Sequence, residues 1–277
     1  MTPSAHSYCT TTLNYGSGGS DGDARTVQVV IENARETSDL LEFERCGFEL
    51  IEHRSAVSDW CDSMHVADVH MGEIKDLAYE HSGCDHALVY PPLVRSPKSA
   101  REIADYAPIQ FVHSDYTDDY RPMIEDPDRA YGDFIAPPLE SVGVRQDEIA
   151  NADRVLMLQF WRNIGAQRPD YPLALCDADS VPRADLYPLL VPEYGGLRME
   201  FETFGVHPPA TPDQHRWYTF PDLQADELIA FRTYDSLCAD QNRPFWTPHS
   251  AFLDPNAGAN APRRESVEMR VLCLFGL

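Results

Sequence analysis

A mainly β chain, folded as a sandwich, jelly roll or barrel, is what this sequence predicts, and three observations carry that expectation. Short runs rich in β-branched and aromatic residues recur along it, among them VLMLQFW (155–161), ELIAFRTY (227–234) and SVEMRVLCLF (266–275). Proline-rich connections such as HPPATPDQH (207–215) separate many of these runs. Few long helical periodicities intervene, and many short strands bounded by turn signals belong to two-sheet or closed β architectures.

Taken in order, the elements fit that frame. The opening MTPSAHSYCTTT is polar and lacks the apolar centre of a signal peptide. An opening strand is expected ahead of YGSGGSDGD (15–23), which has neither a P-loop lysine nor GxGxxG spacing and reads as a loop. TVQVVIE (26–32) is β-branched and predicts a strand. Val66, Met71, Ile74, Leu77 and Ala78 recur at helical spacing, Gly83 supplies a C-cap, and the strand HALVYPP follows. Beyond residue 100, strands are expected over 108–113, 155–161, 173–176 (LALC), 216–220 (RWYTF), 227–234 and 266–275. No repeat and no long linker appears. The expectation is a single domain over 1–277, with an N-terminal flanking region of helices and strands to about residue 105 and a β core over about 106–277.

Composition narrows the function. With 277 residues, 43% of them hydrophobic, the chain can bury a substantial core. A formal net charge of -23 repels phosphate, and the longest basic cluster is Arg263-Arg264, so a nucleic-acid partner is excluded. No stretch is long and apolar enough to span a membrane. Seven scattered cysteines without a CxxC pair argue against a disulfide framework or a zinc knuckle, and a cytoplasmic location is expected.

The chemistry-bearing residues begin in QFVHSDYT (110–117). Residues i and i+2 of a strand share a face, so His113 and Asp115 can converge on one ion. With 10 histidines and 45 acidic residues, roughly one or two such H-x-[D/E] triplets arise by chance, so the triplet alone equally fits a solvated strand end. His249, in PHSAF, offers the third ligand, and two imidazoles with one carboxylate make the facial triad of non-haem iron oxygenases. Further on, Arg264, Ser266, Glu268 and Arg270 would line one face of a strand. An arginine beside a hydroxyl is a natural clamp for a carboxylate, while a salt-bridge ladder through Glu268 is the plainer reading. Trp161, Trp217, Tyr218 and Trp246 read as core. Asp177 and Asp179 in CDAD read as a solvated turn, His207 and His215 as a pocket lid or exposed loop, and Arg95 as a residue able to reach an anionic substrate.

His-x-Asp, a long interval, a lone His and then Arg-x-Ser resembles the Fe(II)/2-oxoglutarate-dependent dioxygenases. More closely, the chain resembles a microbial secondary-metabolism branch that includes gibberellin desaturase-like fungal enzymes and the hydroxylase component of cephamycin 7α-methoxylation. The likeness runs from GFELIEH (47–53) to the C-terminus through HSDYT, FWRNIGAQRPDYPLALCDADSV, HRWYTFPDLQADELIAFRTYDS, PHSAF and PRRESVEMR. It departs at Phe160-Trp161-Arg162-Asn163, where family members commonly carry an asparagine-tryptophan-arginine order.

The resemblance implies a double-stranded β-helix, the cupin-like jelly roll, with His113, Asp115 and His249 holding Fe(II). Arg264 with Ser266 would bind the far carboxylate of 2-oxoglutarate, and Arg270 on the same face is the other arginine placed to take it. The implied reaction couples 2-oxoglutarate and O2 to hydroxylation or desaturation of a small specialised metabolite, either a cephem β-lactam at C7 or a fungal-type polyketide or terpenoid. Both histidines must be neutral and Asp115 ionised to bind metal, so activity is expected to fall on the acid side. Two alternatives stay open: a metal-dependent hydrolase or isomerase on the same three ligands, and an accessory partner of a biosynthetic methyltransferase. A homodimer is the other expected assembly.

Overall fold

The computed structural model describes residues 6–16 and 25–277, so most of the glycine-rich stretch 15–23 lies outside the described residues. The chain begins with β1 (Ser7–Tyr15), β2 (Arg25–Asn33), β3 (Phe48–Glu52), β4 (His86–Val89) and β5 (Leu93–Arg95). Then come β6 (His113–Ser114), β7 (Arg154–Asn163), β8 (Leu173–Cys176), β9 (Leu186–Tyr194) and β10 (Leu197–Val206). The last four are β11 (Trp217–Thr219), β12 (Glu227–Asp235), β13 (His249–Ala251) and β14 (Ser266–Phe275).

They form two sheets, one ordered β1-β2-β11-β8-β13-β6-β10-β9 and the other β3-β12-β7-β14-β4, with β5 also paired to β14. This is the jelly-roll core that the strand pattern and the resemblance predicted. The segment before residue 105 supplies strands to both sheets, β1 and β2 to the first and β3, β4 and β5 to the second.

The unbroken apolar runs of β7, β12 and β14 have a packing reason. All nine residues of β12 are buried, because the second sheet is covered on both faces. Its outer face meets the helix Ser63–Ser82, where Val66, Ile74 and Ala78 join Leu156, Leu158, Val271 and Cys273 in one cluster. That helix starts at Asp62, whose carboxylate accepts the N–H groups of Met64 and His65, and stops at Gly83 with φ 67°. The alternate residues Val155, Met157, Leu272 and Leu274 belong to the inner cluster.

Three elements differ from the sequence expectation. The stretch 108–113 yields ladder pairing only from His113. Its earlier part pairs only at an isolated bridge, Phe111 beside Asn14, with Val112 N–H donating to the Asn14 carbonyl and Ala251 N–H to the Ile109 carbonyl. The hairpin of β9 and β10 is a strand pair the sequence does not announce, because Pro188 and Pro192 interrupt β9. Those prolines are tolerated because β9 ends its sheet and needs partners on one side only. The helix Tyr131–Ser141 is hidden in the same way by Pro137 and Pro138.

Candidate metal centre

β6 and β13 are neighbours in the larger sheet, with His113 and His249 directly opposite one another. Asp115 follows two residues after His113, and the three side chains meet: one potential ligand atom from each lies within 4.8 Å of the others. Asp115 Oδ1 is 3.7 Å from Nε2 of both His113 and His249. All three residues are buried.

The tautomers follow from the backbone. His113 Nδ1 lies 2.7 Å from the Phe111 carbonyl and His249 Nδ1 lies 3.0 Å from the Thr247 carbonyl. A carbonyl only accepts, so each Nδ1 carries a proton and each Nε2 is the ring nitrogen turned towards Asp115. Burial, with His249 adding repulsion, pushes His113 down to about 4, which keeps it neutral. Burial alone would raise the Asp115 carboxyl, but Arg270 and the two imidazoles outweigh it and hold the group at about 2. Two imidazoles and one ionised carboxylate oxygen, lining the cavities described below, suit a divalent iron ion.

β14 brings the second set of predicted residues from the opposite sheet. Arg264 precedes the strand, and Ser266, Glu268 and Arg270 share its inward face. The structure divides them. Arg270 Nε donates to Asp115 Oδ2 at 3.1 Å and its Nη2 approaches Glu268 at 3.4 Å, so it is committed to the carboxylates of the cluster. Arg95 takes the other side of Glu268 and reaches no open cavity with a spare donor; the salt-bridge ladder is real, but Arg95 stands in it where Arg264 was expected.

Arg264 remains apart. It is 5% exposed, its Nη1 donates to the Tyr171 carbonyl at 3.2 Å, and its guanidinium carbon lies 5.7 Å from the Trp161 ring centroid. Its Nε and the Ser266 hydroxyl are buried without a hydrogen-bond partner among the described residues, and so is Gln159 Oε1. Orphaned donors at this depth are costly unless a ligand satisfies them.

Two cavities meet at the triad. The narrower contains Arg264, Trp161, Gln159 and His249, and shares Ile109, His113, Asp115 and Arg270 with the larger. The larger measures ≈ 520 Å³ and is walled chiefly by aromatic and aliphatic side chains. Tyr116, Tyr131 and Phe134 supply part of that wall, and the β9–β10 hairpin supplies Leu189, Tyr194, Met199 and Phe201. Leu190 and Leu197 stand 65% and 56% exposed at its rim.

Other sequence candidates fall outside these cavities. Asp177 is buried and ion-paired with Arg216, not solvated, while Asp179 stands apart from the triad. His215 is buried against Asp185 and His207 stacks on Tyr187, so neither is a lid. Of the departing FWRN stretch, Trp161 faces the site, whereas Arg162 turns to the other side and donates to His53 and the Ala225 carbonyl. Trp217 is core, as expected.

Residues 3–274 match a family model described as an oxidoreductase/YMDC permease-like domain. The chain belongs to this family. Among the described residues no helix is long and apolar enough to cross a membrane. A hydroxylase/desaturase from Hormonema carpetanum, efuI, is 27% identical over 96% of this chain and 94% of its own length. A fungal α-ketoglutarate-dependent dioxygenase, phiK, is 26% identical over 91% of this chain and 85% of its own. The iron and α-ketoglutarate-dependent endoperoxidase NvfI, at 20% identity, superposes with a TM-score of 0.77 over 99% of both chains and has the same fold. The chain is an Fe(II)/2-oxoglutarate-dependent oxygenase of the secondary-metabolism hydroxylase/desaturase group, as its motifs implied.

Proposed function

We propose that His113, Asp115 and His249 hold Fe(II), that Arg264 and Ser266 bind the far carboxylate of 2-oxoglutarate, and that the large cavity takes an uncharged, mostly apolar metabolite for hydroxylation or desaturation. The observation that carries this reading is the orphaned donor Arg264 Nε in the narrower cavity beside the triad, with the equally orphaned Ser266 hydroxyl two residues further along the chain. Arg270, the other arginine expected to take that carboxylate, is already committed to Asp115 and Glu268.

Fe(II), with 2-oxoglutarate and O2, supplies the oxidising power to act on an unactivated C–H bond. The chain's own work is placement and exclusion. The Phe111 and Thr247 carbonyls fix the imidazoles, and Arg270 fixes one oxygen of Asp115. The aromatic walls of the large cavity orient an apolar substrate and keep water from the reacting centre.

Charge supports a polyketide- or terpenoid-like substrate over a cephem. Among the described residues, Arg270 is the only lysine or arginine lining the large cavity, and it has no charge to spare. A cephem carboxylate would be desolvated there without a counter-ion.

Anaerobic titration of the protein with Fe(II) and 2-oxoglutarate tests the assignment. A weak visible charge-transfer band is expected in the wild type and not in His113→Ala. A band of unchanged intensity in that variant sinks the triad assignment.

A further inference from the structure

Asp115 is not held by one partner but by the end of a buried chain of alternating charges. Arg95 is 3% exposed and uses every N–H it has. Nε and Nη2 grip both oxygens of Glu268 at 3.2 and 3.0 Å, and Nη1 donates to the carbonyls of Asp105 and Ala107. Nη2 also donates to the Tyr194 hydroxyl at 2.7 Å. Glu268 is thereby immobilised, and its Oε1 lies 3.4 Å from Arg270 Nη2. Arg270 reaches only one oxygen of Asp115, placing Nε at 3.1 Å and Nη2 at 3.0 Å from Oδ2. Oδ1 is left to face the two imidazoles.

A free guanidinium prefers to engage a carboxylate through both oxygens in a fork. Such a fork on Asp115 would occupy the oxygen that the triad needs. Glu268 Oε1 competes for Nη2 of Arg270, at 3.4 Å against 3.0 Å to Asp115 Oδ2. We propose that Glu268 is a positioning residue of the metal centre: clamped by Arg95, it restrains Arg270 so that Asp115 offers a single, fixed oxygen to the ion. The proposal rests on the reading of His113, Asp115 and His249 as the metal ligands.

The test uses Mn(II) alone as the probe, with affinity read by electron paramagnetic resonance on the metal-free protein, beside the thermal midpoint of the same metal-free samples. Glu268→Gln is expected to bind Mn(II) about tenfold more weakly or worse, the usual effect of losing an outer partner of a ligand. Its stoichiometry should stay at one ion, and a folded midpoint should be retained. A purely structural role would lower the midpoint while leaving the affinity of the folded fraction unchanged.

If two uncompensated arginines prevent Glu268→Gln from folding, the double variant Arg95→Met with Glu268→Met removes both charges and replaces them with apolar bulk. It leaves Arg270 free to fork onto Asp115, so the same tenfold loss is expected. Mn(II) affinity within twofold of wild type, in whichever variant folds, overturns the proposal. Wild-type protein that binds Mn(II) no better than His113→Ala overturns the ligand assignment itself, a different result from normal wild-type binding with normal Glu268→Gln binding.

Discussion

Arg264 lies across the face of Trp161, its guanidinium carbon 5.7 Å from the ring centroid, with Nε buried and making no hydrogen bond. Burial, with Arg95 adding repulsion, pulls its pKa down to about 9, so it remains cationic at neutral pH while lacking an anion. A dicarboxylate would supply that anion. Arg264→Leu should weaken binding by about 1.5–3 kcal/mol, the range for a hydrogen bond to a charged group, or about 10- to 150-fold in KM for 2-oxoglutarate. Steady-state oxygen uptake at varied 2-oxoglutarate checks this, and an unchanged KM would move the co-substrate elsewhere.

The wall of the large cavity predicts a separable defect. Leu189 lines it from β9 and is only half-buried, so a larger side chain there grows into the cavity rather than into the core. Leu189→Trp should cut product formation about fivefold or more, from an overpacking penalty of about 1–3 kcal/mol on the bound substrate. The Fe(II)/2-oxoglutarate absorption band and substrate-free 2-oxoglutarate turnover should stay at wild-type levels. Loss of the band along with the product would mean the two cavities are not independent.

Gly47 supports His249 from a distance. It sits at φ 86° at the end of the short helix Phe43–Cys46, and an added Cβ would collide with the Thr247 hydroxyl. The Thr247 carbonyl is the acceptor for His249 Nδ1. Gly47→Ala should therefore cost about 1–2 kcal/mol for the left-handed backbone alone, before the collision is counted. Urea unfolding reads the stability loss, and Mn(II) affinity should fall with it as His249 loses its fixed tautomer.

His70 sets a pH dependence away from the metal. It is buried on the helix Ser63–Ser82 with Nδ1 2.7 Å from Glu73 and its ring edge-on to Trp60, and burial pushes its pKa down from 6.5 to about 4. Above the unfolded value the ring is neutral in both states and adds no slope. Between the two values the unfolded chain binds the proton and the folded chain does not, so stability falls as pH falls, by up to about 1.4 kcal/mol per pH unit. Unfolding of metal-free protein at pH 7, 6 and 5 should show the loss, and His70→Gln should reduce the slope by one proton's share, leaving the part that His113 contributes.

What the sequence made legible follows from where information is local. Strands buried on both faces, β7, β12 and β14, announce themselves as apolar runs, and the helix Ser63–Ser82 by its period and its terminal Gly83. His113 and Asp115 could be paired because i and i+2 share a side within a strand. Linking His249 to them took a family pattern, since only the pairing of β13 with β6 brings it across. The same limit explains Arg95. Its partner Glu268 is 173 residues away, and no spacing rule connects β5 to β14. The substrate wall was the least legible part, because proline-bearing β9 and the helix Tyr131–Ser141 carry much of it.

The meeting of two cavities at one triad has a consequence for how such proteins diversify. Trp161, His249 and Arg264, which define the narrower cavity, come from strands or strand ends deep in the two sheets. Leu189, Tyr194 and Phe201, which shape the larger one, come from an edge hairpin that pairs with the rest of its sheet through a single strand. The two cavities are thus carried by different parts of the sheets, so substitutions in the edge hairpin can reshape the larger one while the residues of the narrower one stay in place.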